Sequence, residues 1–281
     1  MTGQLYVTAT PIGNLEDLSP RAVRILSEVK VIAAEDTRVS KILLAKFNIK
    51  TPLHSYHKFN EESKVVFFVS FLEKGEDVAL ISDAGVPCIS DPGYRLVSKA
   101  HEIGAGVSPI PGASAVTSAL SVSGFNIKEY LFVGFLPKKD NTKFLLQKLS
   151  ACKCVVFFES PNRILQTLNK LLIESPELEV CLTNDLTKFY EKIYKGKIKD
   201  VMTDLSDNPS ANKGEYTCII YDTIDKVIEA TTDISTEAKL FDIIIRQNVT
   251  PKEAGQILKE ADNNLSRNQI YEALLNLKKY I

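Results

Sequence analysis

No apolar run in this 281-residue chain approaches the ~20 residues a helix needs to cross a bilayer, so no membrane span is expected. Nor does the amino terminus, Met-Thr-Gly-Gln, carry a basic flank with an apolar stretch behind it, the pattern of a secretory signal. Charge of neither sign dominates. The 34 Lys and Arg against 35 Asp and Glu leave a formal charge of −1, which argues against a strongly basic nucleic-acid platform but leaves room for a local basic patch. Histidine is scarce, with 3 in the chain, and the 5 cysteines are odd in number and scattered apart from Cys152-x-Cys154. Without paired C-x-x-C spacing no metal site is expected. Cys88, Cys152, Cys154, Cys181 and Cys218 read as free thiols of a reducing, cytoplasmic compartment, four of them in or beside apolar segments.

A more local absence is more informative. Residues 78–81 form an apolar run that ends at Ser82-Asp-Ala-Gly85, and a second Ser-Asp-x-Gly follows at Ser90-Asp-Pro-Gly93, ahead of a helical pattern on Leu96, Val97, Ala100 and Ile103. Strand, glycine-bearing loop, helix is where open α/β sheets bind small ligands. Yet residues 82–93 contain no Lys or Arg. The strand-like run 5–8 leads into residues 9–17, again without a basic residue, and 107–110 leads into Pro111-Gly-Ala-Ser-Ala115 with no charge of either sign before Lys128. Phosphate cradles usually add a cation or a Gly-x-Gly-x-x-Gly turn at a helix start, and neither is present. These loops suit a ligand without phosphates, held by backbone groups, small hydroxyls and a carboxylate or two. Three ordinary turns in a plain α/β domain remain the alternative.

Strand-like runs at 5–8, 31–34, 78–81 and 107–110 alternate with helical patterns, including one opened by Ser19-Pro20 and another at 61–73, which signals a mostly parallel sheet. The punctuation at 123–126, and the apolar Leu131-Phe-Val-Gly-Phe-Leu-Pro137, read as a crossing into a second domain. There, helices at 143–149 and from Ser160-Pro161 to about Leu172 accompany strands at 154–158, 180–183, 191–195 and 216–221, with one short helix between the last two. Consecutive strands imply mixed or antiparallel pairing. The remainder is helical in pattern, with capping boxes at Thr250-Pro-Lys-Glu253 and Ser266-Arg-Asn-Gln269. Its Lys252, Lys259, Arg267, Lys278 and Lys279 could touch nucleic acid, although basic and acidic residues balance there and packing is an equal reading. The expected division is an N-terminal α/β domain over 1–124, a second α/β domain over 125–228 and a small helical domain over 229–281.

The segment 31–34 ends in Glu35-Asp-Thr-Arg38, where adjacent carboxylates could titrate apart, one raised by its neighbour and the other lowered by Arg38. The plainer alternative is an Asp36 N-cap with Glu35 and Arg38 as a surface ion pair. Ser55-Tyr-His-Lys-Phe-Asn-Glu61 places His57 in a polar loop; Glu159-Ser-Pro-Asn-Arg163 ends a strand with Ser160 as a candidate N-cap and Arg163 free to reach a phosphate or a carboxylate.

Taken in order, Thr10-Pro-Ile-Gly-Asn-Leu-Glu-Asp17, Glu35-Asp-Thr-Arg38, Ser82-Asp-Ala-Gly-Val-Pro87 with Ser90-Asp-Pro-Gly93, Pro111-Gly-Ala-Ser-Ala115, Glu159-Ser-Pro-Asn-Arg163, Leu186-Thr-Lys188 and Lys213-Gly-Glu-Tyr216 resemble the tetrapyrrole methylase superfamily. Within it they are most similar to the branch that methylates the ribose 2′-oxygen of a decoding-centre cytidine in 16S ribosomal RNA. The resemblance implies a two-domain α/β fold, a parallel-sheet N-terminal domain and a mixed-sheet second domain with a small C-terminal helical tail. It also implies S-adenosylmethionine in the cleft between domains, a homodimer, and 16S rRNA or the 30S subunit as partner. It assigns cofactor contacts to Pro11, Asp83, Ala84, Gly85, Val86, Ile89, Ser114 and Ala115, with Phe158, Ser160 and Gly214 closing the pocket from the second domain. Catalysis would fall to Glu35 or Asp36 as base, with Arg38 and Lys188 orienting the target. The chain departs from relatives at Asn184-Asp185, where Arg-Glu is common, and at Lys58-Phe59, where Glu-His is common. Three other activities stay open: tetrapyrrole ring-carbon methylation, non-catalytic RNA binding in ribosome assembly, and a nicotinamide oxidoreductase, the last disfavoured by the missing dinucleotide glycines.

Overall fold

The computed structural model describes residues 2–223, 236–247, 249–261 and 265–277. The chain forms two compact units, residues 1–223 and 224–281. The first is built on two five-stranded sheets.

Sheet one comprises β1 (Gln4–Thr8), β2 (Val31–Ala34), β3 (Leu53–Ser55), β4 (Val78–Ile81) and β5 (Gly106–Ile110), all parallel, in the order β3-β2-β4-β1-β5. Every residue of β2 and β4 is buried, as expected of central strands covered on both faces by crossover helices. One face packs against α1 (Pro20–Glu28) and α2 (Thr37–Lys46), which contribute Leu26 and Leu44; the other packs against α3 (Glu61–Glu73) and α4 (Tyr94–Glu102), which contribute Phe68 and Leu96. Ser19 caps α1, its hydroxyl accepting from the Ala22 N–H at 3.1 Å with Pro20 opening the helix.

Helix α5 (Ala115–Val122) joins the two sheets. It follows β5 of sheet one, yet Val116 and Ala119 pack with Val156, Cys181 and Ile219 of the second sheet. That sheet runs β6-β7-β10-β8-β9, from β6 (Leu131–Phe135), β7 (Cys154–Glu159), β8 (Glu179–Asn184), β9 (Lys192–Lys197) and β10 (Tyr216–Tyr221). β6 and β7 are parallel and the remaining pairs antiparallel, so the sheet is mixed as the run of strands suggested. Helices α6 (Asn141–Ala151), α7 (Ile164–Glu174) and α8 (Ile198–Ser206) cover its far face through Leu145, Leu168 and Val201.

Three sequence expectations need correction. β3 has no counterpart among the expected strands, and its last residue, Ser55, falls in the expected polar loop: only three half-buried residues long, it lacks the apolar run that marks its neighbours. The segment 131–137 is more than a crossing, because it supplies the edge strand β6. Helix α7 begins at Ile164, because the Ser160 carbonyl accepts from both the Arg163 and Ile164 N–H groups and closes a turn first; Ser160 is therefore not its cap.

The second unit contains α9 (Thr236–Gln247), α10 (Pro251–Ala261) and α11 (Arg267–Leu277) around Leu240, Ala254, Leu258 and Ala273. Both capping boxes form: the Thr250 N–H donates to Glu253 Oε2 at 2.8 Å, and the Ser266 N–H to Gln269 Oε1 at 2.9 Å. Of the basic residues noted there, Lys278 and Lys279 lie outside the described residues. No helix among the described residues is long and apolar enough to cross a membrane.

Candidate active site

Parallel strands bring the segments that follow β1, β2, β4 and β5 to one edge of sheet one. Two backbone hydrogen bonds clamp Thr10 to Gly85: the Thr10 N–H donates to the Gly85 carbonyl at 2.9 Å and the Gly85 N–H to the Thr10 carbonyl at 3.1 Å. The Thr10 hydroxyl adds a bond to the Ser82 carbonyl at 3.1 Å. Asp83 ties the β2 and β4 loops together, its Oδ1 accepting from the Asp36 N–H at 3.0 Å. From below, buried Glu61 accepts from the Gly93 N–H at 2.8 Å and from the Tyr56 hydroxyl at 3.3 Å, which holds the second Ser-Asp-x-Gly in place. Gly93 has φ +140°, and a Cβ there would lie 2.5 Å from Cys88 Sγ, so only glycine fits. The polar loop read at 55–61 is thus a support, and His57 does not reach the cleft.

The opposing wall comes from the second sheet. Glu159 ends β7 with its side chain buried, accepting from the Ser160 N–H at 2.8 Å and the Thr167 hydroxyl at 3.0 Å and pairing with Arg163 at 3.2 Å. Arg163 reaches a carboxylate, then, and also donates to the Leu136 and Pro137 carbonyls. The turn after β8 carries positive φ at Asp185 (52°) and Thr187 (66°). It docks on the β1 loop, where the Asn14 N–H donates to the Thr187 hydroxyl at 3.0 Å and a side chain on Gly13 would strike Lys188 and Thr187.

Between these walls lies a cleft of about 470 Å³, within the range of small-ligand sites. It is lined by Glu35, Asp83, Ala84, Gly85, Val86, Ile89, Ser114, Ala115, Phe158, Ser160 and Gly214, which the sequence had put together from five separate segments. It is also lined by Ile12, Asp91, Phe135, Glu159, Leu186 and Glu215, which it had not. The Ser-Asp-x-Gly echo was the available signal for Asp91. A shallower depression of about 670 Å³ between α6 and α7, lined by Asp140, Lys143, Lys170 and Glu174 among others, holds none of the motif residues.

Among the described residues no Lys, Arg or His lines the cleft, while five carboxylates do. Glu159 and Glu215 have cationic partners, Arg163 and Lys188. The other three are raised above their usual range. Burial does most of this for Glu35, with the charges of Asp91 and Asp83 adding to it; burial also dominates at Asp83 and Asp91, tempered by hydrogen bonds from the Asp36 N–H and from Ser82.

Four expected site residues stand elsewhere. Pro11 is buried behind the lining, and its half-buried neighbour Ile12 faces the cleft instead. Asp36 is the N-cap of α2, accepting from the Arg38 N–H at 2.8 Å, and its carboxylate pairs with Arg38 at 2.6 Å. Those bonds to Arg38 pull its pKa down to about 2. Arg38 therefore pairs with Asp36 and not with Glu35, and its side chain is 89% exposed outside the cleft. Lys188 is held by Asp185 and Glu215, both at 2.8 Å. The two adjacent carboxylates have been driven apart in pKa, Glu35 up and Asp36 down.

Two solved methyltransferases share this fold. A uroporphyrin-III C-methyltransferase from Thermus thermophilus matches with a TM-score of 0.52 at 18% identity, and a cobalt precorrin-4 methyltransferase with 0.57 at 16%; each match covers 78% of this chain and 94% of the other. The family model for Tetrapyrrole (Corrin/Porphyrin) Methylases matches residues 4–202. Among curated relatives, Ribosomal RNA small subunit methyltransferase I of Pasteurella multocida is 39% identical across 97% of this chain and 96% of its own length. The enzyme of the same name from Bacillus subtilis is 37% identical across 96% and 94%, and that of Thermotoga maritima 43% across 72% and 91%. The chain belongs to the tetrapyrrole methylases, and among them to the ribosomal RNA small subunit methyltransferase I family.

Proposed function

We propose that the chain methylates the ribose 2′-oxygen of a cytidine in the decoding region of 16S ribosomal RNA, with S-adenosylmethionine as methyl donor. The observation that carries this is the cation-free, acidic cleft. Glu35, Asp83 and Asp91 disfavour a phosphate-bearing cofactor and favour a ligand that is itself positive. S-adenosylmethionine fits that requirement and, when bound, supplies an electrophilic methyl on a cationic sulfur. Gly85 and Gly214, with φ +80° and +83°, allow the backbone to approach such a ligand closely.

A neutral ribose hydroxyl is a poor nucleophile, so the residues around it must align it and remove its proton. Alignment contributes ~7–11 kcal/mol in favourable cases, and a positioned base ~10²–10⁴-fold in rate. Glu35 is the base: it faces the cleft, and its raised pKa makes it the better proton acceptor of the pair. Asp36, spent on the cap and on Arg38, is a positioning residue. Arg38, projecting outside the cleft, is placed to meet a backbone phosphate of the target. Lys188 holds Glu215 and the 185–188 turn at the rim, and orients the target only by leaving one of those carboxylates. An rRNA substrate implies a cytoplasmic protein, and the family resemblance brings a homodimer with it, which light scattering of the purified chain checks.

The deciding experiment is transfer of labelled methyl from S-adenosylmethionine into purified 30S subunits and naked 16S RNA, followed by mapping of the modified nucleotide. Label in a cytidine ribose supports the proposal. Label in a porphyrinogen with none in RNA, or donor binding without transfer to any acceptor, overturns it.

A further inference from the structure

Sheet two reaches the cleft through an irregularity in its edge strand. Leu131 and Phe132 of β6 pair with Val155 and Val156 of β7, but the next pair is Phe135 with Phe158, so β6 has one more residue than its partner over that step. Gly134 absorbs the extra residue with φ +66°, and its α-carbon faces Ser90 of the β4 loop across the cleft, 3.7 Å from where a Cβ would lie. Bulges of this kind re-aim a side chain and cluster beside active sites. Here the bulge turns Phe135 into the cleft with 69% of its surface exposed, although the ring is large and apolar.

Phe135 is also fixed. Its ring leans on Phe158 at 5.3 Å between centroids, Phe158 sits edge-on to Phe132 at 5.0 Å, and Arg163 holds the two carbonyls that follow, those of Leu136 and Pro137. Of the three aromatic rings among the described residues lining the cleft, Phe158 is half-buried and Tyr216 is buried, so Phe135 alone offers a free face.

We infer that Phe135 is the platform on which the target nucleobase stacks after it leaves its neighbours in the RNA. The inference rests on the RNA methylation proposed above. A cleft of about 470 Å³ is of small-ligand size and too small to take in an RNA helix. The acceptor sugar therefore reaches Glu35 only if its base is splayed out, which costs unstacking that the protein must offset. A fixed aromatic face does so without hydrogen-bond selectivity, and removing such a face weakens binding about ten- to a hundredfold per base. Charge divides the cleft in the same sense: the acidic floor suits the cationic donor, and the apolar ring wall suits an uncharged base.

The test compares Phe135→Ala, Phe135→Leu and Phe135→Trp with wild type, with the donor Kd measured by calorimetry and methyl transfer measured on 30S subunits. The platform predicts kcat/KM for the subunit about 10–100-fold lower in F135A and in F135L, which keeps apolar bulk without a ring face. It predicts F135W within about threefold of wild type, and a donor Kd within about twofold in all three. Normal transfer by F135L makes the surface merely apolar and overturns the inference. So does a donor Kd weakened as much as transfer, because the ring would then be holding the donor's own adenine. If wild type itself transfers nothing to the subunit, the failure lies with the RNA reading and not with Phe135.

Discussion

Glu35→Gln keeps the size of the side chain, exchanging one acceptor oxygen for an NH2 donor, while removing the charge and the ability to take a proton. If Glu35 is the base, kcat falls by about 10²–10⁴-fold, which is about 2.7–5.4 kcal/mol of barrier at 1.36 kcal/mol per decade. Donor affinity falls far less, because Asp83 and Asp91 keep the floor negative. The pH profile gives a second, independent sign. Burial and the charges of Asp91 and Asp83 raise the folded pKa of Glu35 above its usual 4.5, and the residue acts as base only when ionised. Wild-type kcat/KM therefore falls as pH drops through that raised value, and E35Q loses this limb. Stability runs the other way. A carboxylate whose folded pKa is raised stabilises the fold fully below 4.5 and loses that contribution as pH rises through the folded value. At neutral pH the ionised side chain is thus a burden, and E35Q should melt slightly higher than wild type, by less than about 1 kcal/mol because the group is partly solvated. The gain should vanish near pH 4. Steady-state transfer to 30S subunits and thermal melts at several pH values measure both. Turnover above one-tenth of wild type, or a loss that appears in Asp91→Asn and not in E35Q, refutes the assignment.

Arg163→Leu strands the buried Glu159 carboxylate without its cation. Breaking a fully buried pair costs about 3–5 kcal/mol, and the partial exposure of Arg163 brings this to about 2–3 kcal/mol, or roughly 4–12 °C in Tm; a shift under 2 °C would show the pair contributes nothing. Gly93→Ala puts a methyl against Cys88 Sγ and Leu80 in a left-handed backbone, and should cost about 1–3 kcal/mol in denaturant melts. Adding Cys88→Ala should restore part of that loss, since the sulfur is the nearer obstacle; no recovery places the strain in the backbone alone. Ser266→Ala removes the hydroxyl that accepts from the Gln269 N–H, and should cost the second unit about 1 kcal/mol, read as faster amide exchange at residues 267–270.

What the sequence revealed follows a physical line. Central strands β2 and β4 are continuous apolar tetrapeptides buried on both faces, and their bounds were readable to the residue. So were the capping boxes, which are local. Two of the edge strands were not. β3 is short and half-buried with no apolar run, and β6, although apolar, is broken by Gly134 and followed by Leu136-Pro137, so it read as a crossing and not as a strand. Within the site, residues carried by short motifs at strand ends fell together in the cleft. The exceptions turn on partners that spacing cannot identify. Arg38 could have paired with either neighbouring carboxylate, and the choice is made by Asp36 turning outward to cap α2 while Glu35 turns toward the cleft. Lys188 could have been free, had Asp185 and Glu215 not met it across a turn of positive φ.

The division of the cleft explains why one side chain of the Glu35-Asp36 pair can serve as base. Both residues leave the same strand one position apart, so alternation sends them in opposite directions. The outward one gains a helix N-terminus and a guanidinium, each of which favours its charge; the inward one meets two more carboxylates and loses solvent, each of which disfavours it. The same acidic floor that would attract a cationic donor is therefore what raises Glu35. Binding that donor adds a positive charge beside Glu35 and must lower its pKa again. The acid limb of kcat, measured with donor bound, should accordingly lie at lower pH than the limb of kcat/KM for the donor, which reports the free protein. Coincident limbs would mean that the donor's charge and Glu35 do not share the cleft.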